Sequence, residues 1–194
     1  NSMITIFDFD TEKIINQIKI HKAAGKIVKI DPSKNFFAVV TSRNNINIYN
    51  IKNLNLECVF EEHNHIIYDI IFNPIKEKFE LYSCSEDSTV RVWNLLLAKC
   101  TNYFYNQGIL YYTKIIEDEN NKIIPTLILG DDDGNLTELN LNTGNIIDIY
   151  YINLHQAIVQ IYFLENDENN DNNYLYIFTS EQTLIKLKIN ILKN

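Results

Sequence analysis

Residues 83–94 read Ser-Cys-Ser-Glu-Asp-Ser-Thr-Val-Arg-Val-Trp-Asn, and the last six of them (TVRVWN) set a pattern for the whole chain. β-branched residues alternate with other side chains, the bulky Trp93 closes the run and a polar Asn94 follows it, as in a short strand that buries one face. The same character returns at residues 3–8 (MITIFD), 45–50 (NINIYN), 135–140 (NLTELN) and 183–188 (TLIKLK). Their bulky positions, Phe7, Tyr49, Trp93, Leu139 and Leu187, lie 42, 44, 46 and 48 residues apart. Loops that lengthen from unit to unit would produce this drift, so the chain reads as a series of repeated units.

Between these anchors the pattern is again that of strands. Residues 26–30, 67–72, 111–116 and 158–163 are rich in β-branched and aromatic side chains, and turn residues follow most of them: Asp31-Pro32-Ser33, Asn73-Pro74, and the stretches 117–121 and 165–173. A second strand is expected at 36–41, 81–85, 126–130 and 174–180, the anchor strand comes third, and a fourth trails it at 57–60, 100–105 and 146–151. Four strands in each unit of about 40–48 residues make a β-propeller blade, and no long amphipathic helix competes. The expected fold is all-β, in units at about 1–20, 21–62, 63–106, 107–152 and 153–194.

The stretch Ser83 to Asn94 resembles the signature of the WD-repeat (tryptophan–aspartate) family, with Asn94 in place of the usual Asp. That resemblance implies a hydrogen-bonded structural tetrad of His63, Ser83, Asp87 and Trp93, in which a buried imidazole and indole N–H find partners and fix the blade geometry. The third unit alone carries the full set. Phe7-Asp8, Tyr49-Asn50, Leu139-Asn140 and Leu187-Lys188 stand where the others would have Trp-Asp, while His21 and His155 precede their first strands as the family expects. The sequence opens near the third strand of one unit and closes near the third or fourth of another. A partial propeller, of about four to five blade units, is therefore expected, and with it a longer protein; a closed small ring is the alternative.

Composition bounds what such a fold can do. The chain has 194 residues, 17 basic against 25 acidic, for a net charge of −8, and no apolar run approaches the roughly 20 residues of a membrane-spanning helix. Net acidity argues against nonspecific nucleic-acid binding, so RNA contact is expected to be indirect at most, and no membrane partner is expected. Cys58, Cys84 and Cys100 are odd in number and lack a C-x-x-C pair, so neither a disulfide framework nor a zinc site is expected and a reducing, intracellular setting is. No signal-peptide pattern opens the sequence.

Each catalytic or metal constellation has a plainer reading. His63-Asn64-His65 has the H-x-H spacing of metal ligands or of an HNH nuclease but lacks the accompanying cluster. Asp131-Asp132-Asp133-Gly134-Asn135 alternates oxygen ligands like a calcium loop, yet Asn142 stands where the bidentate Glu belongs, and a tight acidic turn explains it better. Ser83 and Ser85 lack the strand–turn–helix setting of a nucleophile elbow, and five glycines form no phosphate loop. On the expected channel side Lys29 and Asp69 are the main charged residues. No catalytic residue, metal or cofactor is expected, and no enzyme.

What remains is surface. The acidic insertions Glu117-Asp118-Glu119 and 165–173, which includes Glu165, Asp167, Glu168 and Asp171, each join a first to a second strand and so emerge on one face. That face is a candidate site for a basic protein segment or a ribonucleoprotein subunit; the plainer reading is a pair of solvated, Asn-rich loops. The WD-repeat resemblance implies a noncatalytic scaffold for protein–protein assembly. A narrower one, over His21 through Asp31-Pro32 and then Phe72-Asn73-Pro74 through Trp93, is to the transducin-beta-like subunit of the small-subunit processome, which implies nucleolar or nuclear ribosomal RNA processing. A ubiquitin-ligase substrate receptor or another signalling adaptor, nuclear or cytoplasmic, would use the same fold, and a propeller enzyme is the remaining alternative.

Overall fold

The computed structural model describes residues 2–20, 23–73, 75–105, 115–116, 126–140, 143–152, 155–164 and 173–189. Apart from a 3-10 turn at Lys76–Lys78, every regular element among them is a strand, and the strands form five antiparallel sheets in chain order. Blade 1 holds β1 (Ser2–Asp8) and β2 (Lys13–Ile20). Blade 2 holds β3 (Gly25–Ile30), β4 (Phe36–Thr41), β5 (Ile46–Asn50) and β6 (Leu56–Phe60). Blade 3 holds β7 (Ile67–Phe72), β8 (Glu80–Ser85), β9 (Thr89–Asn94) and β10 (Lys99–Tyr105). Blade 4 holds β11 (Ile115–Ile116), β12 (Thr126–Gly130), β13 (Asn135–Asn140) and β14 (Ile146–Tyr151), and blade 5 holds β15 (Ile158–Leu164), β16 (Asn173–Thr179) and β17 (Leu184–Ile189). The strand bounds read from sequence hold to within a residue, except at 111–116, of which residues 115–116 alone are described.

Two turns repeat with the period of the anchors, and backbone chemistry explains both. Between second and third strands, Asn44, Ser88, Gly134 and Gln182 all take a left-handed backbone, with φ of 63°, 60°, 83° and 62°. Between third and fourth strands, Glu12, Leu54, Ala98 and Gly144 do the same. The residue after each bulky anchor caps that second turn: a side-chain oxygen of Asp8, Asn50, Asn94 and Asn140 accepts the backbone N–H of Asp10, Lys52, Leu97 and Thr143, respectively. Asn serves as well as Asp here, because the cap needs an acceptor and not a charge.

The blades pack face to face through successive apolar layers. Val39, Tyr49 and Ile20 join blades 1 and 2; Ile46, Ile48, Phe60, Leu81 and Trp93 join blades 2 and 3; Cys84, Val90, Leu127 and Leu139 join blades 3 and 4; Leu136, Ile158, Ile161 and Ile177 join blades 4 and 5. Close approach is built in. A Cβ on Gly130 would lie 2.6 Å from the Ile158 side chain, and one on Gly144, whose φ is +74°, would lie 2.3 Å from the Phe104 ring of the preceding blade. Lys29 on β3 and Asp69 on β7, the charged pair expected on the first strands, meet across neighbouring blades at 3.5 Å.

Candidate interaction site

Blade 3 assembles four polar side chains into one chain of hydrogen bonds. The Trp93 indole donates to Ser83 Oγ at 2.8 Å, Ser83 Oγ lies 2.6 Å from His63 Nε2, and His63 Nδ1 lies 2.7 Å from Asp87 Oδ2. Only one proton arrangement satisfies every link with a neutral imidazole: Nδ1–H donates to the carboxylate and Nε2 accepts from the serine hydroxyl. Burial lowers the His63 pKa, against the opposing pull of Asp87, so that neutral form holds at pH 7. Burial also works against the Asp87 carboxylate, but hydrogen bonds from Thr89 and His63 outweigh it and keep its pKa below the usual range. With one nitrogen committed to Asp87 and the other to Ser83, His63 has no lone pair left for a metal. Ser83 is 0% and His63 5% exposed, so this hydrogen-bonded chain lies inside the blade packing and is closed off from solvent.

The equivalent positions elsewhere are apolar. Val39, Leu129 and Ile177 replace Ser83, and Tyr49, Leu139 and Leu187 replace Trp93. Tyr49 stacks on Phe37 at 5.1 Å. His155, placed by sequence where a blade histidine is expected, is exposed with φ of 50°; its neighbour Gln156 takes the contact instead, accepting from the Thr179 hydroxyl and donating to Glu181. His21 lies outside the described residues. The Asp131 turn is tight and acidic: one Asp131 oxygen accepts the backbone N–H groups of Asp133 and Asn135, and the other accepts the Asn135 side chain.

Among the described residues there is no group of three or more His, Cys, Asp or Glu side chains that could hold a metal. Burial, with Glu57 beside it, pushes Cys58 up to about 11, and burial also raises Cys84 and Cys100, so none of the three is a thiolate nucleophile at neutral pH. No helix in the described residues is long and apolar enough to cross a membrane.

The carboxylates proposed from sequence as a partner surface, Glu117, Asp118, Glu119, Glu165, Asp167, Glu168 and Asp171, all lie outside the described residues. The described residues carry their own acidic end, at the opposite ends of the strands. Turns between second and third strands, and connections from one blade to the next, share that end, and backbone bonds such as Glu86 N–H to Ile66 C=O and Ser180 N–H to Ala157 C=O tie them together. Glu61, Glu62, Glu86, Asp132, Asp133 and Glu181 gather there against Arg43, Lys26 and Arg91, the last paired with Glu62 at 2.9 Å. At the other end the described turns of blades 1 to 3 mix Lys34, Lys52, Lys78 and Lys99 with Asp10, Glu12, Asp31 and Glu77. Sequence reading missed this grouping because these carboxylates come singly or in pairs from four separate turns and connections. Projecting the inferred strands onto their two ends would have shown it.

A crystal structure described as the WD40 beta propeller domain of Doa1 matches this chain with a TM-score of 0.71 and 13% sequence identity, covering 91% of this chain and 54% of that one. The chain thus has the WD40 β-propeller fold and spans about half the length of that propeller. No protein-family model and no curated protein sequence matches the chain.

Proposed function

We propose that this chain is a noncatalytic protein-interaction module that holds a basic segment of its partner against the end of the blades where the second-to-third-strand turns lie. The observation that carries this reading is the gathering of Glu61, Glu86, Asp132, Asp133 and Glu181 at one end of the blades. A field of one sign over a rigid surface speeds encounter with an oppositely charged segment and selects its orientation. The β-propeller fold supports it by presenting turns from several blades on a common rim.

The test is recovery of partners from native cells with the wild-type chain and with Glu61→Gln, Glu86→Gln, Asp133→Asn and Glu181→Gln combined. Loss of the main partner, with the circular dichroism spectrum unchanged, is the expected result; undiminished recovery overturns the reading. The acidic insertions at 117–119 and 165–171 are a second candidate surface, tested by charge reversal at Glu117, Glu119, Asp167 and Glu168.

The finer reading is a scaffold in nucleolar ribosomal RNA processing, supported by the sequence resemblance over His21 to Trp93. Preribosomal proteins and precursor RNA among the recovered partners would support it, whereas cullin-type components would favour the substrate-receptor alternative.

A further inference from the structure

Two acidic elements beside blade 3 are joined through one buried histidine. The connection from β6 to β7, residues 61–66, is irregular backbone, and His63 is its one buried member while Glu61, Glu62 and His65 are exposed. The turn from β8 to β9 carries Glu86 and Asp87. Asp87 Oδ2 takes His63 Nδ1 at 2.7 Å and the Asn64 backbone N–H at 3.2 Å, while Asp87 Oδ1 accepts the Thr89 backbone N–H and so holds its own turn. On the far side of the ring Nε2 accepts from Ser83 at 2.6 Å. His63 thus pins the connection to the turn and to β8 at once.

That pin depends on the proton count. A second proton on the imidazole occupies the Nε2 lone pair that the Ser83 hydroxyl needs. Ser83 Oγ then faces two donors, His63 and the Trp93 indole, and its own hydrogen has no acceptor inside a closed site. Burial is the largest influence on His63 and opposes the imidazolium; Asp87, in contact, favours it, Arg91 on β9 opposes it and Glu62 on the connection favours it. Blade 2 meets this layer with Ile46, Phe60 and Cys58, and β10 meets it with Cys100, both thiols that burial keeps protonated. An imidazolium here is relieved by releasing the connection into water, where a histidine ordinarily titrates near about 6.5.

We infer that His63 is a proton-sensitive latch on the acidic end of the blades: neutral, it holds Glu61 and Glu86 in one surface, and protonated, it releases the connection and with it a basic partner. The inference rests on the interaction-module reading and names how that same surface is regulated. Two effects of one proton act in the same direction. The connection loosens, and a positive charge arrives behind the carboxylates that the partner needs. The window runs downward from about pH 6.5 and ends above about 4, where carboxylates ordinarily titrate.

The experiment uses the 194-residue chain with His21→Gln, His65→Gln and His155→Gln, which leaves His63 as its one imidazole, and a fluorescent oligolysine peptide. At constant ionic strength the affinity is expected to fall at least about threefold from about pH 7.5 to about 5.2. Reciprocity then requires saturating peptide to lower the His63 titration midpoint, read by NMR, by about half a pH unit. Adding His63→Gln, whose amide can donate to Asp87 and accept from Ser83 without titrating, should flatten the affinity profile to within about 1.5-fold. The NMR titration does not use that variant, so the inference stays open to refutation should His63→Gln unfold. An unshifted midpoint, or the same slope with and without His63→Gln, would overturn the latch. Oligolysine binding that is independent of pH sinks the latch alone, whereas no binding at any pH would overturn the charge reading together with it.

Discussion

The interface between blades 2 and 3 and the interface between blades 4 and 5 are built on the same strand positions, yet they solve the packing problem differently. Between blades 2 and 3 a polar chain of His63, Ser83, Asp87 and Trp93 is enclosed by Ile46, Ile48, Phe60 and Leu81, and every buried polar atom of that chain has a partner. Between blades 4 and 5 the corresponding inner layer packs Leu136, Ile158, Ile161, Leu175 and Ile177, with the buried Thr179 hydroxyl bonded to Gln156 at its end, while the outer rim carries carboxylates. The difference teaches that blade packing does not require the tetrad. A buried serine is tolerated where tryptophan and histidine satisfy it, and the other blades avoid the need with Val39, Leu129 and Ile177.

The sharpest way to break this comparison is to truncate the two equivalent bulky anchors. Trp93→Ala removes a fully buried ring and its hydrogen bond and should cost about 3–5 kcal/mol in denaturant unfolding. Leu187→Ala, at a half-buried position with no polar partner, should cost about 2 kcal/mol or less. Equal losses would show that the two interfaces are energetically alike.

A smaller change isolates the polar chain. Ser83→Ala leaves the Trp93 N–H and His63 Nε2 without their partner and should destabilise by about 1–3 kcal/mol. Ile177→Val at the equivalent site of blade 5 should cost about 0.5–1.5 kcal/mol, the removal of one methylene. A Ser83→Ala variant as stable as the wild type would mean that the hydrogen-bonded chain contributes nothing net.

Most of the architecture was legible in the sequence because strands announce themselves through period-two patterning and because the repeats align them. Trp93, Ser83 and Asp87 were readable as a set since only one unit carries all of them. His155 misled because a histidine near a first strand satisfies a pattern without the backbone to use it; with φ of 50° its neighbour Gln156 makes the bond. The role of Asn50, Asn94 and Asn140 as turn caps was hidden because a pattern defined by Trp-Asp makes asparagine look like a defect. The Glu138–Asp148 pair was invisible for another reason: ten residues separate them in sequence, and only the strand register places them opposite one another.

pH separates the two interfaces further. His63 has its pKa lowered by burial, so the unfolded chain binds the proton more readily than the folded one. Its contribution to stability is complete above about 6.5, the ordinary histidine value, and is lost as pH falls through the lower folded value. Unfolding temperatures measured across this range should fall with acidification in the wild type, and His63→Phe should remove that part of the slope.

Glu138 has the opposite sign and the smallest effect. Burial, with Asp148 adding repulsion and Tyr150 partly offsetting it, raises the Glu138 pKa above the usual glutamate value, so here the folded state holds the proton more tightly. Its favourable contribution is present below the unfolded value and disappears as pH rises through the folded one. At pH 7 the ionised Glu138 therefore faces Asp148 at a cost, and Glu138→Gln, which keeps an acceptor for the Tyr150 hydroxyl, should stabilise the chain by about 0.2–1 kcal/mol. Below about pH 4.3 the advantage should vanish, since the wild-type carboxyl is then protonated in both states. A variant that is less stable than the wild type at pH 7 would show that an internal cation already answers the pair, and the rim of blade 4 would then be as self-sufficient as the core between blades 2 and 3.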